Sequence, residues 1–354
     1  MKILVGLSGG VDSATAAYIL KEAGHEVVGV TMAILDPGLK LNAKADSCLS
    51  ADEATHIREA EDVAKFLDIP FYIIDCKEEY KKLVLENFKQ EYLSGRTPNP
   101  CVRCNSLIKF GALLQGSARQ GIRFDKFATG HYAQIVQHNG RYAIKRGGDP
   151  KKDQSYFIYR LSQEQLSNLM FPLGAYTKRE VRELARSAGL PVSEKKESQD
   201  FYGGDYAELL GEPDRKGKIV DTHGKVLGEH NGFWYYTIGQ RKGLGVSAES
   251  PLYVVDIDVS RNEVVLGYES ESLKTSFEVE SVVSGALDVV EKVCQLDVLV
   301  KVRSAQIPKP AKITIEEGGA KILCELSEPQ RSITPGQSAV FYRDDLVLCG
   351  GVIV

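Results

Sequence analysis

The chain has 354 residues, and at about 150 residues per domain this length predicts two or three domains. Its 43% hydrophobic and 26% charged residues are typical of a globular protein and exclude a disordered, collagen-like or coiled-coil chain. The formal net charge of −4 excludes a bulk polycation, but it leaves room for nucleic-acid binding, which needs only a local basic face.

The N-terminus and the cysteines both indicate a cytoplasmic protein that is not attached to a membrane. The opening MKILVGLSGGVDS turns polar after a short apolar stretch, which predicts a strand and a turn rather than a signal peptide. No apolar run approaches the roughly 18 residues of a membrane helix. Seven unevenly spaced cysteines without a secretion signal indicate reduced thiols kept for chemistry, metal binding or packing.

Residues 1–205 alternate between β-rich and amphipathic stretches. The pattern predicts strands at 2–7, 25–34, 70–75 and within 124–133, and helices at 11–23, 51–67, 78–93, 162–169 and 178–188. Such an alternation indicates βαβ units and therefore an α/β domain built on a parallel sheet. Residues 36–50 show no clear period, and we expect a mobile loop there.

Beyond residue 205 the pattern changes to short strands separated by glycine-rich turns. Two runs within 216–230 and a hairpin pattern within 250–267 predict a small Gly-rich middle module over 206–272. Alternating apolar residues in LDVLVKVRS and a Gly-Gly turn between two alternating runs at 311–326 predict an all-β, barrel-like domain over 273–354.

The turn between the first strand and the first helix has the features of a phosphate-binding loop. It reads Ser8-Gly9-Gly10-Val11-Asp12-Ser13. Two glycines let the backbone approach a phosphate closely, and the helix N-terminus offers free N–H groups and the positive end of its dipole. Asp12 is a candidate ligand for Mg²⁺ on the phosphates. The loop has no lysine of the GxxxxGK[ST] kind, so it is not a Walker A loop.

This loop resembles the pyrophosphatase loop of the N-type ATP pyrophosphatases, which split ATP between the α and β phosphates and adenylate a carbonyl oxygen. Over nearly all 354 residues the chain resembles the tRNA-specific 2-thiouridylase (MnmA) family. The motifs that carry the resemblance are GRTPNPCVRCNSLIKF (95–110), ATGHYA (128–133), KDQSYFIYRLSQEQL (152–166), FPLGAYTKREVRELA (171–185), YTIGQRKGLG (236–245) and TPGQSAVFY (334–342).

The resemblance implies an enzyme that uses ATP and Mg²⁺ to replace the C2 oxygen of the wobble uridine by sulfur in tRNAs for Lys, Glu and Gln. It places ATP at Gly6, Leu7, Ser8, Gly9, Gly10, Val11, Asp12, Ser13, Met32 and Gly130, with Asp12 as a catalytic residue. It places tRNA at Asn99, His131, Lys152, Asp153, Gln154, Arg241, Lys242, Arg303 and Gln337. Basic clusters at 145–152 and 241–242 would supply local phosphate contacts despite the net charge.

Cys101 and Cys104 form a CxxC pair that we expect in a loop, because Pro98 and Pro100 flank it. A single CxxC fits half a zinc site, a redox pair or cluster ligands. The resemblance makes Cys104 a catalytic cysteine and places Cys101 where many family members have Asp.

The sequence departs from the family at Tyr202, which stands where most members have the second catalytic cysteine. Two replacements remain open. In one, Cys101 and Cys104 share the work, one carrying sulfur and the other resolving the intermediate as a disulfide. In the other, Cys48, Cys101 and Cys104 hold a [4Fe–4S] cluster that presents sulfide. We expect structural roles for the other cysteines, Cys76, Cys294, Cys324 and Cys349.

Two other functions remain as alternatives. One is a different adenylating ligase with the same loop, which would need neither the CxxC pair nor the basic β-rich tail. The other is a tRNA-binding protein with a degenerate site, which Tyr202 suggests and the intact Ser8–Ser13 loop opposes. The sulfur donor of the thiolation reaction would be a cysteine desulfurase relay or free sulfide.

Overall fold

The computed structural model describes residues 1–36, 47–49, 52–195, 201–290 and 294–354. These residues form two compact units. The first comprises residues 1–84, 100–205 and 345–347, and the second comprises residues 85–99, 206–344 and 348–354. Most of the expected loop at 36–50 and residues 198–200 of the segment before Tyr202 lie outside the described residues.

The elements follow the predicted change from alternating strands and helices to strands alone. Up to residue 187 they are β1 (Lys2–Gly6), α1 (Val11–Glu22), β2 (Glu26–Ala33), α2 (Glu53–Phe66), β3 (Phe71–Asp75), α3 (Lys77–Tyr80), α4 (Glu86–Leu93), α5 (Pro100–Arg103), α6 (Leu113–Arg119), β4 (Lys126–Ala128), β5 (Ala133–His138), β6 (Arg141–Arg146), α7 (Ser155–Ile158), α8 (Gln163–Ser167), β7 (Leu169–Met170) and α9 (Lys178–Ser187). Two π-helical segments, Lys81–Leu85 and Cys104–Ala112, connect α3 with α4 and α5 with α6.

After residue 205 short strands dominate. The elements are α10 (Tyr206–Leu210), β8 (Gly217–Asp221), β9 (Val226–His230), β10 (Tyr253–Asp258), β11 (Glu263–Gly267), β12 (Lys274–Ser284), β13 (Gln295–Lys301), β14 (Lys309–Ile315), β15 (Ile322–Gln330), β16 (Ser338–Arg343) and β17 (Leu346–Ile353). Short 3₁₀ turns lie at Phe233–Tyr235, Glu269–Ser272 and Glu317–Gly319.

The first unit is built on a parallel sheet with the strand order β3-β2-β1-β4-β7. The register aligns Leu4 of β1 with Val28 of β2 and with Phe127 of β4. Helix α1 packs on this sheet through Ala14, Ala17 and Leu20, the residues that the sequence pattern placed on one side, and these are buried. The predicted α/β domain with a parallel sheet is confirmed.

The first unit also contains elements that the sequence pattern did not predict. Strands β5 and β6 form an antiparallel hairpin that pairs Ala133 with Arg146. The expected loop around the CxxC pair is wrong, because Cys101 lies in α5 and Cys104 begins the π-helix Cys104–Ala112. The flanking prolines do not prevent this. Pro100 is the first residue of α5, and the first turn of a helix tolerates proline because its N–H has no intrahelical partner there.

The second unit contains two β modules. The first is a four-stranded sheet with the order β10-β11-β8-β9, in which the predicted hairpin of β10 and β11 pairs antiparallel. The second joins β12-β15-β14-β13-β16-β17, and β12 also pairs with β17, which closes a barrel. The predicted middle module and barrel-like C-terminal region are therefore confirmed as fold classes. Within the described residues, no helix is long and apolar enough to cross a membrane.

Candidate functional site

The carboxyl-terminal edge of the parallel sheet gathers the predicted nucleotide-binding residues of the first unit. The Ser8–Ser13 loop follows β1, and Gly130 and His131 follow β4 by two and three residues. Met32 is the second-to-last residue of β2, where it pairs with Ile74 of β3. Ligands of parallel α/β sheets bind at this edge. The fold thus places the expected ATP residues at one end of one sheet.

The Ser8–Ser13 loop has a compact and internally hydrogen-bonded shape. The Ser13 hydroxyl accepts a hydrogen bond from the Ser8 backbone N–H at 3.1 Å and donates to the Gly10 carbonyl at 3.1 Å. Gly9 has a φ of +68°, the left-handed region that favours glycine. A side chain at Gly9 would also approach the His56 carbonyl oxygen to 2.7 Å. Both glycine requirements agree with a tight phosphate loop.

Gly130, which follows the neighbouring strand β4, packs against the loop. A Cβ atom at this position would lie 2.7 Å from the carbonyl carbon of Asp12 and 2.8 Å from the backbone nitrogen of Ser13. Real Cβ contacts are not this short, so only glycine lets the segment after β4 pack against the start of α1. Gly130 therefore acts on the nucleotide loop through backbone packing.

The carboxylate of Asp12 is bound by two side chains that the sequence analysis did not single out. The ammonium of Lys178 lies 2.7 Å from Oδ1 and 2.9 Å from Oδ2, and the Tyr132 hydroxyl donates to Oδ1 at 2.7 Å. Lys178 is the first residue of α9, which begins with a capping box between Thr177 and Glu180. This capping signal in the sequence marks the helix start, but it does not indicate what the lysine contacts.

Asp12, the predicted ligand for Mg²⁺ on the phosphates, is paired with a lysine in this arrangement. Both carboxylate oxygens already accept hydrogen bonds, and the Lys178 ammonium supplies the neutralising charge. Among the described residues, no group of three or more His, Cys, Asp or Glu side chains is arranged to hold a metal ion. The role of Asp12 as a Mg²⁺ ligand stays a prediction.

A second lysine, Lys195, contacts the backbone of the loop. The Lys195 ammonium donates to the Gly9 carbonyl at 3.2 Å and pairs with the carboxylate of Glu59 on α2. The sequence analysis missed both residues, since nothing in the local pattern connects position 195 with position 9. The pair fixes the backbone of the tight turn that Gly9 makes.

Three cysteines of the first unit lie near Tyr80. The hydroxyl of this fully buried tyrosine has a pKa raised well above its usual value, chiefly by burial, and then by the negative charge that Cys104, Cys48 and Cys101 carry when they ionise. Burial also raises the pKa of Cys104 to about 11, against the opposing effect of the Lys109 ammonium. Cys101 and Cys104 are partly exposed cysteines three residues apart, and such residues are neighbours on a helix surface.

The predicted [4Fe–4S] ligands do not form a metal site here. Cys48 is exposed while Cys101 and Cys104 are only partly so, and the three thiols are not among any metal-binding group within the described ranges. The cluster remains a prediction. Of the other thiols, Cys76, Cys324 and Cys349 are buried as expected, whereas Cys294 is partly exposed.

His131 lies in an aromatic environment beside the loop. The residue is 7% exposed, and its ring centre lies 5.6 Å from that of Phe110 and 5.7 Å from that of Phe171. Nδ1 shares a 2.7 Å hydrogen bond with the Thr129 hydroxyl. Burial, and secondarily the Lys109 ammonium, hold the pKa of His131 well below 6.5. The imidazole is therefore neutral near pH 7.

The expected tRNA residues at 152–154 differ in how accessible their side chains are to a bound tRNA. The Asp153 carboxylate is buried and accepts hydrogen bonds from the backbone of Gly147 at 3.2 Å and of Ser155 at 3.1 Å. Gln154 accepts from the backbone N–H of Tyr132 at 2.9 Å. Both side chains thus organise the protein's own loop, which does not favour direct tRNA contact. Lys152 is partly exposed, as a phosphate contact requires.

Gln337 of the second unit is also an internal residue. Its side chain is 7% exposed, and its amide donates to the carbonyl of Thr97 at 3.1 Å and to that of Pro98 at 2.8 Å. Asn99, another expected tRNA residue, directly follows Thr97 and Pro98 in the chain and is partly exposed. Gln337 therefore positions the chain just before Asn99, and the structure does not support the expectation that it contacts tRNA directly.

The remaining expected tRNA residues of the second unit are more accessible. Arg241 and Lys242 are exposed in the turn that follows Gly239, whose φ is +89°. Arg303 is partly exposed and donates to the Thr334 hydroxyl at 2.6 Å. Arg241 and Lys242 have the exposure that a phosphate contact requires, whereas Arg303 is partly engaged within the protein.

Three family models match successive segments of the chain. Residues 1–202 match the family model described as the tRNA methyl transferase HUP domain. Residues 209–268 match the tRNA methyl transferase PRC-barrel domain, and residues 287–353 match the aminomethyltransferase beta-barrel domain. The fold and the loop thus define a class of nucleotide-binding α/β proteins that carry two additional β modules.

Curated relatives align with the chain from end to end. It is 49% identical over 363 residues to the tRNA-specific 2-thiouridylase MnmA of Endomicrobium trichonymphae, covering 100% of this chain and 99% of the relative. It is 44% identical to MnmA 1 of Clostridium botulinum (strain Loch Maree / Type A3), with 99% of each covered. It is 42% identical to MnmA of Clostridium perfringens (strain 13 / Type A), covering 99% and 98%. The chain belongs to the MnmA family of tRNA-specific 2-thiouridylases.

Proposed function

We propose that this protein is an ATP-dependent tRNA-uridine 2-sulfurtransferase that converts the C2 oxygen of the wobble uridine to sulfur. The observation that carries this proposal is the presence, in one compact unit, of a glycine-shaped phosphate loop and the CxxC thiols of α5 and the π-helix. His131 connects the two regions, because it follows Gly130 at the loop and its ring contacts Phe110 of the π-helix. The full-length similarity to MnmA proteins supports the same reaction.

The reaction begins with Mg·ATP at the Ser8–Ser13 loop. The C2 oxygen of uridine attacks the α-phosphate, the bond to pyrophosphate breaks, and an adenylated uridine results. Backbone N–H groups at the start of α1 and the helix dipole stabilise the negative charge of the phosphates. Because a base within a stacked stem cannot reach such a site, the target uridine must turn out of its stack.

We propose that the sulfur passes through Cys101 and Cys104. One of the two carries a persulfide, whose terminal sulfur displaces AMP from C2. The other thiol then attacks the carrier's sulfur, which releases 2-thiouridine and leaves a Cys101–Cys104 disulfide for an external dithiol to reduce. A cysteine desulfurase relay would transfer a sulfane sulfur to the reduced carrier thiol. Free sulfide would instead attack the Cys101–Cys104 disulfide, which forms the persulfide on one cysteine, releases the other as a thiol and takes the place of the external reductant. The tRNAs for Lys, Glu and Gln would be the substrates. The seven free thiols agree with a reducing cytoplasm.

The test is ATP–pyrophosphate exchange measured with and without tRNA, combined with mass spectrometry of nucleosides from the product tRNA. We expect exchange that depends on tRNA and 2-thiouridine that depends on a persulfide donor. Exchange without tRNA would instead identify a different adenylating ligase of the same loop type. Tight tRNA binding without any exchange would identify a non-catalytic tRNA-binding protein.

A further inference from the structure

Cys104 begins a π-helix of nine residues, Cys104–Ala112. A π-helix is rare, occurs mostly as a single turn and is frequent at functional sites. Its backbone hydrogen bonds join residues five positions apart, so that residues i and i+5 are separated by about one turn. In an α-helix of 3.6 residues per turn the same two residues would point about 140° apart. The π-helix therefore places the side chains of Cys104 and Lys109 on one face of the segment.

Lys109 has no counter-ion within the described parts of the chain. It is partly exposed, and no described residue forms an ion pair or a hydrogen bond with its ammonium. The two lysines at the nucleotide loop differ in this respect, because Lys178 pairs with Asp12 and Lys195 pairs with Glu59. A partly buried ammonium gains most from an anionic partner, so Lys109 has the electrostatic character of a binding group for an anion.

Two groups of the candidate site feel the charge of Lys109. Burial raises the pKa of the Cys104 thiol to about 11, and the Lys109 ammonium opposes this effect. Burial lowers the pKa of His131, and the same ammonium lowers it further. Phe110 follows Lys109 on the π-helix, and its ring centre lies 5.6 Å from that of His131. Lys109 is therefore close both to the CxxC pair and to the residue that follows Gly130 at the phosphate loop.

The charge on the sulfur of Cys104 changes when this cysteine carries a persulfide. The thiol is neutral near pH 7, because burial raises its pKa. A persulfide is more acidic than a thiol, and its terminal sulfur is anionic near neutral pH. An anion in a buried position costs stability unless a cation pairs with it. Lys109, on the same face of the π-helix, is placed to provide that cation.

From this arrangement we infer that Lys109 is a catalytic residue of sulfur transfer and that Cys104, rather than Cys101, carries the persulfide. The inference rests on the proposed function and deepens it, because it gives the two cysteines separate roles. The ammonium pairs with the terminal sulfur anion of the Cys104 persulfide. This sulfur attacks C2 of the adenylated uridine, a C–S bond forms, and the C2–O bond breaks with AMP as the leaving group. The Cys101 thiolate then attacks the Cys104 sulfur, and the electron pair of the broken S–S bond stays on the sulfur of 2-thiouridine.

The first experiment separates adenylation from sulfur transfer. ATP–pyrophosphate exchange in the presence of tRNA reports adenylation. The single-turnover rate of 2-thiouridine formation, with a cysteine desulfurase and cysteine as the donor, reports the complete reaction. The variants are Lys109→Met and Lys109→Gln, which remove the charge, and Lys109→Arg, which keeps it. The matched control is Lys82→Gln, which removes the same charge from an exposed position of the other π-helical segment.

We expect both neutral variants to form 2-thiouridine about 100-fold more slowly, the lower end of the effect of removing one group that stabilises developing charge. Exchange should fall far less than thiolation. Lys109→Arg should recover most of the rate because it keeps a cation, and Lys82→Gln should behave like the wild type. Thiolation at the wild-type rate in the neutral variants would overturn the inference. Equal losses of thiolation and exchange would also overturn it, because Lys109 would then serve adenylation or folding.

A second experiment tests the separate roles of the two cysteines, with no external dithiol present. Because Cys101→Ser cannot resolve the intermediate, we expect it to accumulate a covalent protein–tRNA adduct. Mass spectrometry after digestion should locate the adduct at Cys104, and dithiothreitol should release it as 2-thiouridine. An adduct on Cys101 in the variant Cys104→Ser, or no adduct in either variant, would overturn the assignment. A wild-type protein without tRNA-dependent exchange would instead refute the proposed function.

Discussion

At the scale of single residues, the ionisation states in the site follow from burial. Cys104 and His131 both lie close enough to the Lys109 ammonium for its charge to lower their pKa values, yet burial moves the two groups in opposite directions. It disfavours the charged form of each, so that the thiol stays protonated and the imidazole stays neutral near pH 7. These two groups are therefore uncharged near pH 7.

The Cys104 thiol should react slowly with alkylating agents at neutral pH. Because the thiolate is the nucleophile and burial raises the pKa to about 11, we expect the rate of modification by iodoacetamide to increase about tenfold per pH unit up to about pH 11. Peptide mapping by mass spectrometry measures the rate at this cysteine, with Cys104→Ser as the blank. A rate that levels off near pH 8 would contradict the assignment.

His131 should make the first unit less stable in acid. Its pKa in the folded protein lies well below the ordinary value of 6.5, so the unfolded chain binds the proton first as pH falls. The neutral ring costs nothing above pH 6.5, and stability is lost progressively below it, down to the folded pKa. Thermal unfolding of wild type and His131→Gln between pH 7.5 and about 5 should show a smaller acid loss in the variant. Parallel curves for the two proteins would show that another group is responsible.

At the scale of elements, close packing between segments shapes the site. Gly130 after β4 contacts the backbone at the start of α1, and the Gly336–Gln337 segment before β16 contacts Thr97 and Pro98. In both places a turn far away in the chain positions a functional loop. Substitutions in these supporting turns should therefore act on the loops that they hold.

Gly130→Ala should displace the phosphate loop. The new Cβ would lie 2.7 Å from the Asp12 carbonyl carbon, so the backbone at Asp12 and Ser13 must shift. We expect ATP affinity to fall by about 10- to 100-fold, because displacements of a site by about 1 Å have effects of this size. Gly228→Ala is the control, since its Cβ would have an ordinary 3.4 Å contact with Val246. Equal ATP affinity in both variants would mean that the loop does not depend on this packing.

Gln337→Ala should loosen the segment before Asn99. It leaves the buried carbonyls of Thr97 and Pro98 without their amide donor, which costs about 1–3 kcal/mol of stability. Urea denaturation measures the loss, and Gln295→Ala at an exposed position of β13 is the control. A Gln337→Ala protein of wild-type stability that binds tRNA more weakly would instead favour the direct tRNA contact expected from the family resemblance.

At the scale of the whole molecule, a chain of net charge −4 must bind a polyanion through local basic groups. Lys152 and Arg241 are accessible examples on the first and second unit. We expect Lys152→Ala and Arg241→Ala each to weaken tRNA binding and to lower the slope of log affinity against log salt by about 0.7–0.9 per lost phosphate contact. Filter binding over a range of salt measures this, with Lys65→Ala as the control. Unchanged slopes in both variants would show that these charges are only solvated surface.

The sequence by itself determined the features that depend on neighbouring residues. The alternation of strands and helices predicts the parallel sheet, the Ser8–Ser13 pattern places a phosphate loop between β1 and α1, and the Gly-Gly turn separates β14 from β15. These follow from side-chain periodicity and from the freedom of glycine, which act over a few residues. Even here local signals conflicted at the CxxC pair, where the prolines favoured a loop although Pro100 begins a helix.

Only the tertiary structure decided which distant groups meet. Lys178 and Asp12 are 166 residues apart, and Gln337 and Pro98 are 239 apart, so no local pattern could connect them. The same holds for Lys195 at the Gly9 carbonyl. From the sequence alone, a charged or amide side chain that will be buried looks the same as one that will stay on the solvated surface. Only folding decides which of these side chains are removed from water. Once they are buried, each must find a partner, and the contacts that result determine what every site residue can do.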